Sequence, residues 1–119
     1  MFGKKKKEII DPDLQLVIST IRYNVSSPSK TYEVTYDEII AIKAIISHVR
    51  NKRKNPRLIR LFRLSNGTLN IFWNSYYVGK IKLQGKDKYL QYMKTLFDPE
   101  VIYGETLNDI LPYISKLRL

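Results

Sequence analysis

Phosphate binding is the chemistry that the side chains of this sequence support most directly. Between Ile39 and Lys86 there is no Asp or Glu, while Lys43, Arg50, Lys52, Arg53, Lys54, Arg57, Arg60, Arg63, Lys80, Lys82 and Lys86 supply eleven cations. The whole chain carries +10, so the two flanks together carry −1. A surface this unbalanced repels itself unless something anionic compensates, and phosphate is the commonest such partner. Aromatic residues interleave the cations: Phe62, Phe72, Trp73, Tyr76 and Tyr77. Cations hold phosphates, and exposed rings stack on unpaired bases. The bland alternative is a basic surface that serves solubility, with the aromatics in the core. At least half of Phe62, Phe72 and Trp73 are expected to be core. Tyr76 and Tyr77 are the better exposed candidates, and as strand neighbours they must face opposite ways. The expected nucleic-acid contacts are therefore Arg50, Lys52, Arg53, Lys54, Arg57, Arg60, Arg63, Tyr76, Tyr77, Lys80 and Lys82. The run from Arg50 to Arg63 is the cleanest part of this set.

Other chemistries find little support. With no Cys, disulfides, thiolate zinc sites and cysteine nucleophiles are excluded. The single His48, between Ser47 and Val49, reads as a partly exposed helix residue rather than a metal ligand. Tyr113 and Lys116 have the Tyr-x-x-Lys spacing of replication-initiator tyrosine nucleases, but those enzymes also need a histidine pair. Among the carboxylates Glu33, Asp37, Glu38, Asp98 and Glu100, helix capping explains Asp37 and Glu38. Gly67, Gly79 and Gly85 fit no phosphate-loop spacing. No cofactor or metal is expected, and a small hydrolase or nuclease with an unrecognised site stands only as a remote alternative.

The elements that must position the cations can be read in outline. The 119 residues are 44% hydrophobic and 27% charged, which suits one packed domain over residues 11–119 behind a basic, flexible tail at residues 1–10. Asp11, Pro12 and Asp13 interrupt any secretory signal, and no apolar run of membrane-spanning length occurs, so a cytoplasmic location without membrane insertion is expected. The lean toward Ile, Lys and Tyr suits an AT-rich, viral or thermophilic source. Asp11-Pro12-Asp13 opens a helix, although the β-branched run Val17–Ile21 competes for a strand. Ser26 to Ser29 is a loop, and Thr31 to Thr35 a short strand or extended lead-in.

Thr35 and Glu38 form a capping box for the most secure helix, about Tyr36 to Lys52, with Ile39, Ile42, Ile46 and Val49 on its apolar face. Strands over about Arg57–Leu64, Thr68–Trp73 and Tyr76–Leu83 are joined by a type I′ turn at Asn66-Gly67 and a second turn at Asn74-Ser75. Lys86–Phe97 reads as a helix carrying Tyr89, Leu90, Met93, Leu96 and Phe97 on one side, broken by Asp98-Pro99. A last helix, starting near Thr106 or Asn108 with Pro112 in or close to its first turn, buries Ile110, Ile114 and Leu117.

The expected fold is thus α+β: a three-stranded antiparallel meander, with Thr31–Thr35 a candidate fourth strand, packed on three or four helices. The expected function is non-catalytic binding of DNA or RNA. The alternative is a protein-interaction module, an inhibitor or assembly factor, docking on an acidic partner. A homodimer would raise avidity by doubling the basic patch.

Overall fold

The structure, a computed structural model, describes residues 11–23 and 32–119. The tail expected at residues 1–10 and the loop at 26–29 lie outside the described residues.

Local chemistry fixes the first elements. The Asp11 carboxylate accepts the backbone N–H of Asp13 at 3.0 Å and of Leu14 at 3.4 Å, and Pro12 occupies the first turn of α1 (Pro12–Ser19). Both groups suit a helix start, where N–H groups lack internal partners. In the competing β-branched run, residues 17–19 are helical, and a strand, β1 (Arg22–Tyr23), begins only beyond it. The capping box forms at α2 (Tyr36–Asn51): Thr35 Oγ1 accepts the Glu38 N–H at 3.2 Å, and Glu38 Oε1 accepts the Thr35 N–H at 3.1 Å. Its buried face is Ala41, Ile42, Ile45, Ile46 and Val49.

A 3₁₀ turn at Pro56–Leu58 leads into β2 (Ile59–Arg63), β3 (Leu69–Trp73), β4 (Tyr76–Lys82), β5 (Lys88–Thr95) and β6 (Asp98–Gly104). A short α3 (Leu107–Ile110) and a 3₁₀ segment (Leu111–Lys116) follow. The sheet order is β1-β2-β3-β4-β5-β6; β2 to β6 form an antiparallel meander, and β1 pairs in parallel with β2. The α+β class holds, with three α-helices among the described residues, but three or four strands understate the sheet.

The difference lies in Lys86–Phe97, which is strand and hairpin rather than helix. Its apolar spacing also fits period two, with Leu90 and Tyr92 inward and Tyr89, Gln91 and Met93 outward. A helix there would leave the edge of β4 with unpaired backbone groups over Gly79–Lys82, which β5 satisfies instead. Leu96 and Phe97 consequently stand at the β5–β6 tip, 78% and 91% exposed, instead of in a core. Asp98-Pro99 does not break an element but starts the edge strand β6, where a missing N–H is tolerated. Residues 32–35 are extended and belong to no strand. The Asn66-Gly67 turn is also not type I′. Only Gly67 has positive φ, and its N–H reaches the Leu64 carbonyl at 3.0 Å, closing a three-residue loop.

All described helices pack on one face of the sheet. The core joins Ile59, Leu61, Leu69, Ile71, Ile81 and Leu90 to Leu14, Val17, the α2 face, Ile110, Ile114 and Leu117. Gly79 marks the tightest approach: a Cβ there would lie 2.2 Å from the Gln91 carbonyl oxygen and 2.9 Å from Leu117 Cδ2. Gly79→Ala is expected to destabilise by about 1–3 kcal/mol through forced separation of β4 from β5. Urea unfolding measures this, and an unchanged midpoint would contradict the packing.

A buried ion pair adjoins this core. Arg63 and Glu38 are 0% and 1% exposed, with Arg63 Nη1 2.5 Å from Glu38 Oε2 and Nη2 3.1 Å from Oε1. Gln84 Nε2 donates to the same carboxylate at 3.0 Å, and Arg63 Nη1 also donates to the Gly67 carbonyl at 3.0 Å. This corrects the expectation that Arg63 contacts phosphate. It alternates onto the inward face of β2 with Ile59 and Leu61, and its charge is consumed by Glu38.

Candidate nucleic-acid interface

The sheet face opposite the helices carries the remaining chemistry. A β-bulge decides its composition. Ile71 pairs with Gly79 but Phe72 pairs with Tyr77, so Val78 is the extra residue on β4. Simple alternation groups Tyr77 with Gly79 and Ile81 and would turn it toward the core. The bulge turns it outward, onto the side of Lys80 and Lys82. Tyr76 then takes the opposite side and is 72% exposed beyond the core's edge.

Reading across the strands gives three rows on this open face. Arg60, Phe72 and Tyr77 are register partners; so are Arg22, Phe62, Asn70, Lys80, Gln91 and Val101; Lys82, Tyr89 and Tyr103 form the third. None of these side chains joins the buried core. No strand position facing this side is acidic, while Arg22, Arg60, Lys80 and Lys82 are cationic. Phe62, Phe72 and Tyr89 are half-buried on this face, with Ser19 and Thr20 at the end of α1 bordering Phe62 and Phe72.

The rings are held in place. Phe72 and Tyr77 meet edge to face at 5.6 Å, and Tyr89 and Tyr103 at 6.0 Å. Gln91 Nε2 donates to the Tyr77 hydroxyl at 3.1 Å, and the Tyr89 hydroxyl lies 3.1 Å from Thr68 Oγ1. Partial burial raises the Tyr77 hydroxyl above its ordinary pKa, so it remains a neutral hydrogen-bonding group. Lys80 Nζ sits 5.9 Å over the Tyr89 ring, and Lys82 Nζ donates to the Gln84 carbonyl at 2.8 Å. These cations are anchored by uncharged groups, so their positive field is not cancelled.

The other expected contacts divide into two sets. Arg50 Nη2 lies 2.6 Å from Asp13 Oδ2, and Arg57 Nε lies 3.0 Å from Asp13 Oδ1. The hydrogen bonds from both guanidinium groups hold the Asp13 carboxyl below the usual carboxylate range. Arg50 and Arg57 are exposed, but they are already partnered by a carboxylate that the acid-free run does not contain. Lys52, Arg53 and Lys54 are exposed at the C-terminal end of α2, where cations also suit the helix dipole. Trp73 packs on the core side with Lys54 Nζ 5.8 Å over its ring. Of the three aromatics weighed between core and surface, Trp73 alone joins the core side; Phe62 and Phe72 belong to the open face.

Sequence reasoning missed Arg22, Tyr89, Gln91 and Met93 as members of this face. Arg22 was hidden in a two-residue strand, and the others in the segment whose spacing also fits a helix. His48 is half-buried, with Nε2 3.1 Å from the Leu117 carbonyl oxygen, and ties α2 to the C-terminal segment. Among the described residues no group of three or more His, Cys, Asp or Glu is placed to hold a metal ion, and no helix is long and apolar enough to cross a membrane. No family model, no curated protein and no solved structure matches this chain.

Proposed function

We propose that the protein binds single-stranded nucleic acid on the open face of its sheet without catalysing a reaction. One observation carries this reading: a sheet face uncovered by the described helices, combining Phe62, Phe72, Tyr77 and Tyr89 with four cations and no strand carboxylate. Stacking is worth ~1–3 kcal/mol per base and tolerates any sequence, because every base has a π-face. Backbone phosphates meet Arg22, Arg60, Lys80 and Lys82. A duplex hides its bases in the stack and offers such a face only phosphates, so unpaired strands are favoured.

Fluorescence anisotropy with labelled single-stranded DNA, single-stranded RNA and duplex DNA tests this at several salt concentrations. Single strands are expected to bind with micromolar or better affinity and at least about tenfold more tightly than duplex, given ~1–3 kcal/mol per stacked base. Replacing Lys80 and Lys82 by Ala is expected to flatten the log K against log salt slope by roughly 1.4, at ~0.7 per phosphate contact on a single strand. Absence of binding at about 50 mM salt, where phosphate contacts are strongest, would sink the proposal.

A second reading has its own support. Leu96 and Phe97, exposed at the β5–β6 tip, form an apolar knob of the kind that anchors protein partners. Under that reading the basic surface docks on an acidic protein, and oligonucleotides fail to compete for the bound partner.

A further inference from the structure

We propose that a bound strand leaves the open face past Tyr77, enters the groove beside Leu96, and continues with its phosphates in a basic cleft at the C-terminal end of α2. This rests on the open face being the base-binding surface.

The cross-strand register sets a direction. Arg60 pairs with Phe72 and Phe72 with Tyr77, so one cation and two rings form a row running from β2 to β4. The row ends at a groove of about 290 Å³ lined by Tyr76, Tyr77, Met93, Leu96 and Arg118, among others. Two phenol rings, a thioether and an aliphatic side chain make walls suited to a flat base. Arg118 Nη1 donates to the Lys94 carbonyl at 2.9 Å, which holds the guanidinium at one side of the groove.

The same Arg118 also lines the neighbouring cleft of about 380 Å³, together with Lys52, Lys54, Trp73 and Lys116. Groove and cleft thus share Arg118 as a common wall, and no Asp or Glu side chain lines either. Lys52, expected from the sequence to touch phosphate, thus falls on this path rather than on the open face, as does Lys54.

The opposite corner of the sheet disfavours the alternative exit. There Tyr103 borders a depression in which Asp87, Glu105 and Asp109 outnumber Lys86 and Lys88. Backbone N–H groups of Glu105 and Thr106 donate to Asp109 and hold its carboxyl below its ordinary pKa, so it is ionised at neutral pH. A polyanion is repelled from that corner and drawn to the other.

Strand length provides the test. Anisotropy is measured with oligothymidylate and oligouridylate of about 5 and about 15 nucleotides, a range spanning known single-strand site sizes. Wild type is compared with the variant Lys54→Gln, Lys116→Gln, Arg118→Gln, its folding checked by circular dichroism and thermal unfolding. The variant is expected to bind the long strand about tenfold more weakly, with a salt slope flatter by roughly 2, from three phosphate contacts at ~0.7 each. Its affinity for the short strand is expected to stay within about twofold, because the open face retains its own phosphate contacts. An unchanged affinity for the long strand overturns the path while leaving the open face standing. An equal loss on both lengths overturns it as well, since the three cations would then act only as a general field. If wild type binds neither length, the open-face reading itself fails, and the path with it.

Discussion

Glu38→Ala is expected to lower the unfolding free energy by about 3–5 kcal/mol, the usual result of removing one partner of a buried ion pair. The Glu38 carboxylate receives Arg63 through both oxygens, the Thr35 N–H and the Gln84 amide. Without it, the Arg63 guanidinium is left charged and 0% exposed, holding the Gly67 carbonyl but no carboxylate. Its Nε already lacks a protein hydrogen-bond partner, so the site has little capacity to absorb a further loss. The capping box of α2 disappears in the same substitution, and caps are worth ~1 kcal/mol.

Urea denaturation measures the effect as a fall in midpoint at unchanged slope. The double variant Glu38→Leu, Arg63→Met is expected to be more stable than either single variant, because paired removal leaves no buried charge. A Glu38→Ala loss below about 1 kcal/mol, the range of an exposed pair, would mean that water reaches the pair. Arg63→Met is also expected to reduce stability while leaving oligonucleotide affinity unchanged. That separates Arg63 from the binding set into which its position between Arg60 and the Asn66-Gly67 turn had drawn it.

The second large effect concerns binding. Phe62→Ala combined with Phe72→Ala is expected to weaken single-strand binding by about 2–6 kcal/mol, from ~1–3 kcal/mol for each lost stacking surface. Neither ring belongs to the buried core, so the variant is expected to stay folded. Phe72 also supports Tyr77 edge to face at 5.6 Å, so Phe72→Ala is expected to be the larger of the two single losses. The salt slope is expected to stay the same, because rings release no counterions. Isothermal titration at two salt concentrations separates these quantities. A variant that keeps wild-type affinity would show that phosphate contacts alone drive association.

Much of the scaffold was legible in the residues. Asp11, Thr35 and Glu38 cap their helices through hydrogen bonds to backbone groups within three residues, so the starts of α1 and α2 follow from a few neighbouring positions. The faces of β3 were equally plain, since Leu69 and Ile71 alternate with Asn70 and Phe72. Apart from the Asn66-Gly67 turn, which local hydrogen bonds decide, the misreadings share a cause: a partner distant in sequence. Residues 88–95 satisfy both helical and strand periodicity, and the unpaired edge of β4 decides between them. The bulge at Val78 is invisible in β4 itself, because it exists only relative to β3. Arg63 looked like any other cation in an acid-free stretch, yet its partner Glu38 lies 25 residues earlier, just outside that stretch. Asp13 pairs with both Arg50 and Arg57 from 37 and 44 residues away. Counting charge along a window found the right region but could not tell which cations keep their field. The candidate face became complete only when β5 joined the sheet and brought Tyr89, Gln91 and Met93 beside Tyr77 and Lys80.

Ultraviolet crosslinking of the whole protein to a single-stranded oligonucleotide, with the modified peptides identified by mass spectrometry, tests the central claim most directly. Crosslinks are expected at Phe62, Phe72, Tyr77 and Tyr89, and they are expected to fade as salt is raised. Crosslinks confined to the helical side, at Tyr36 or Tyr113, with none on the sheet, would contradict the open face as the binding surface.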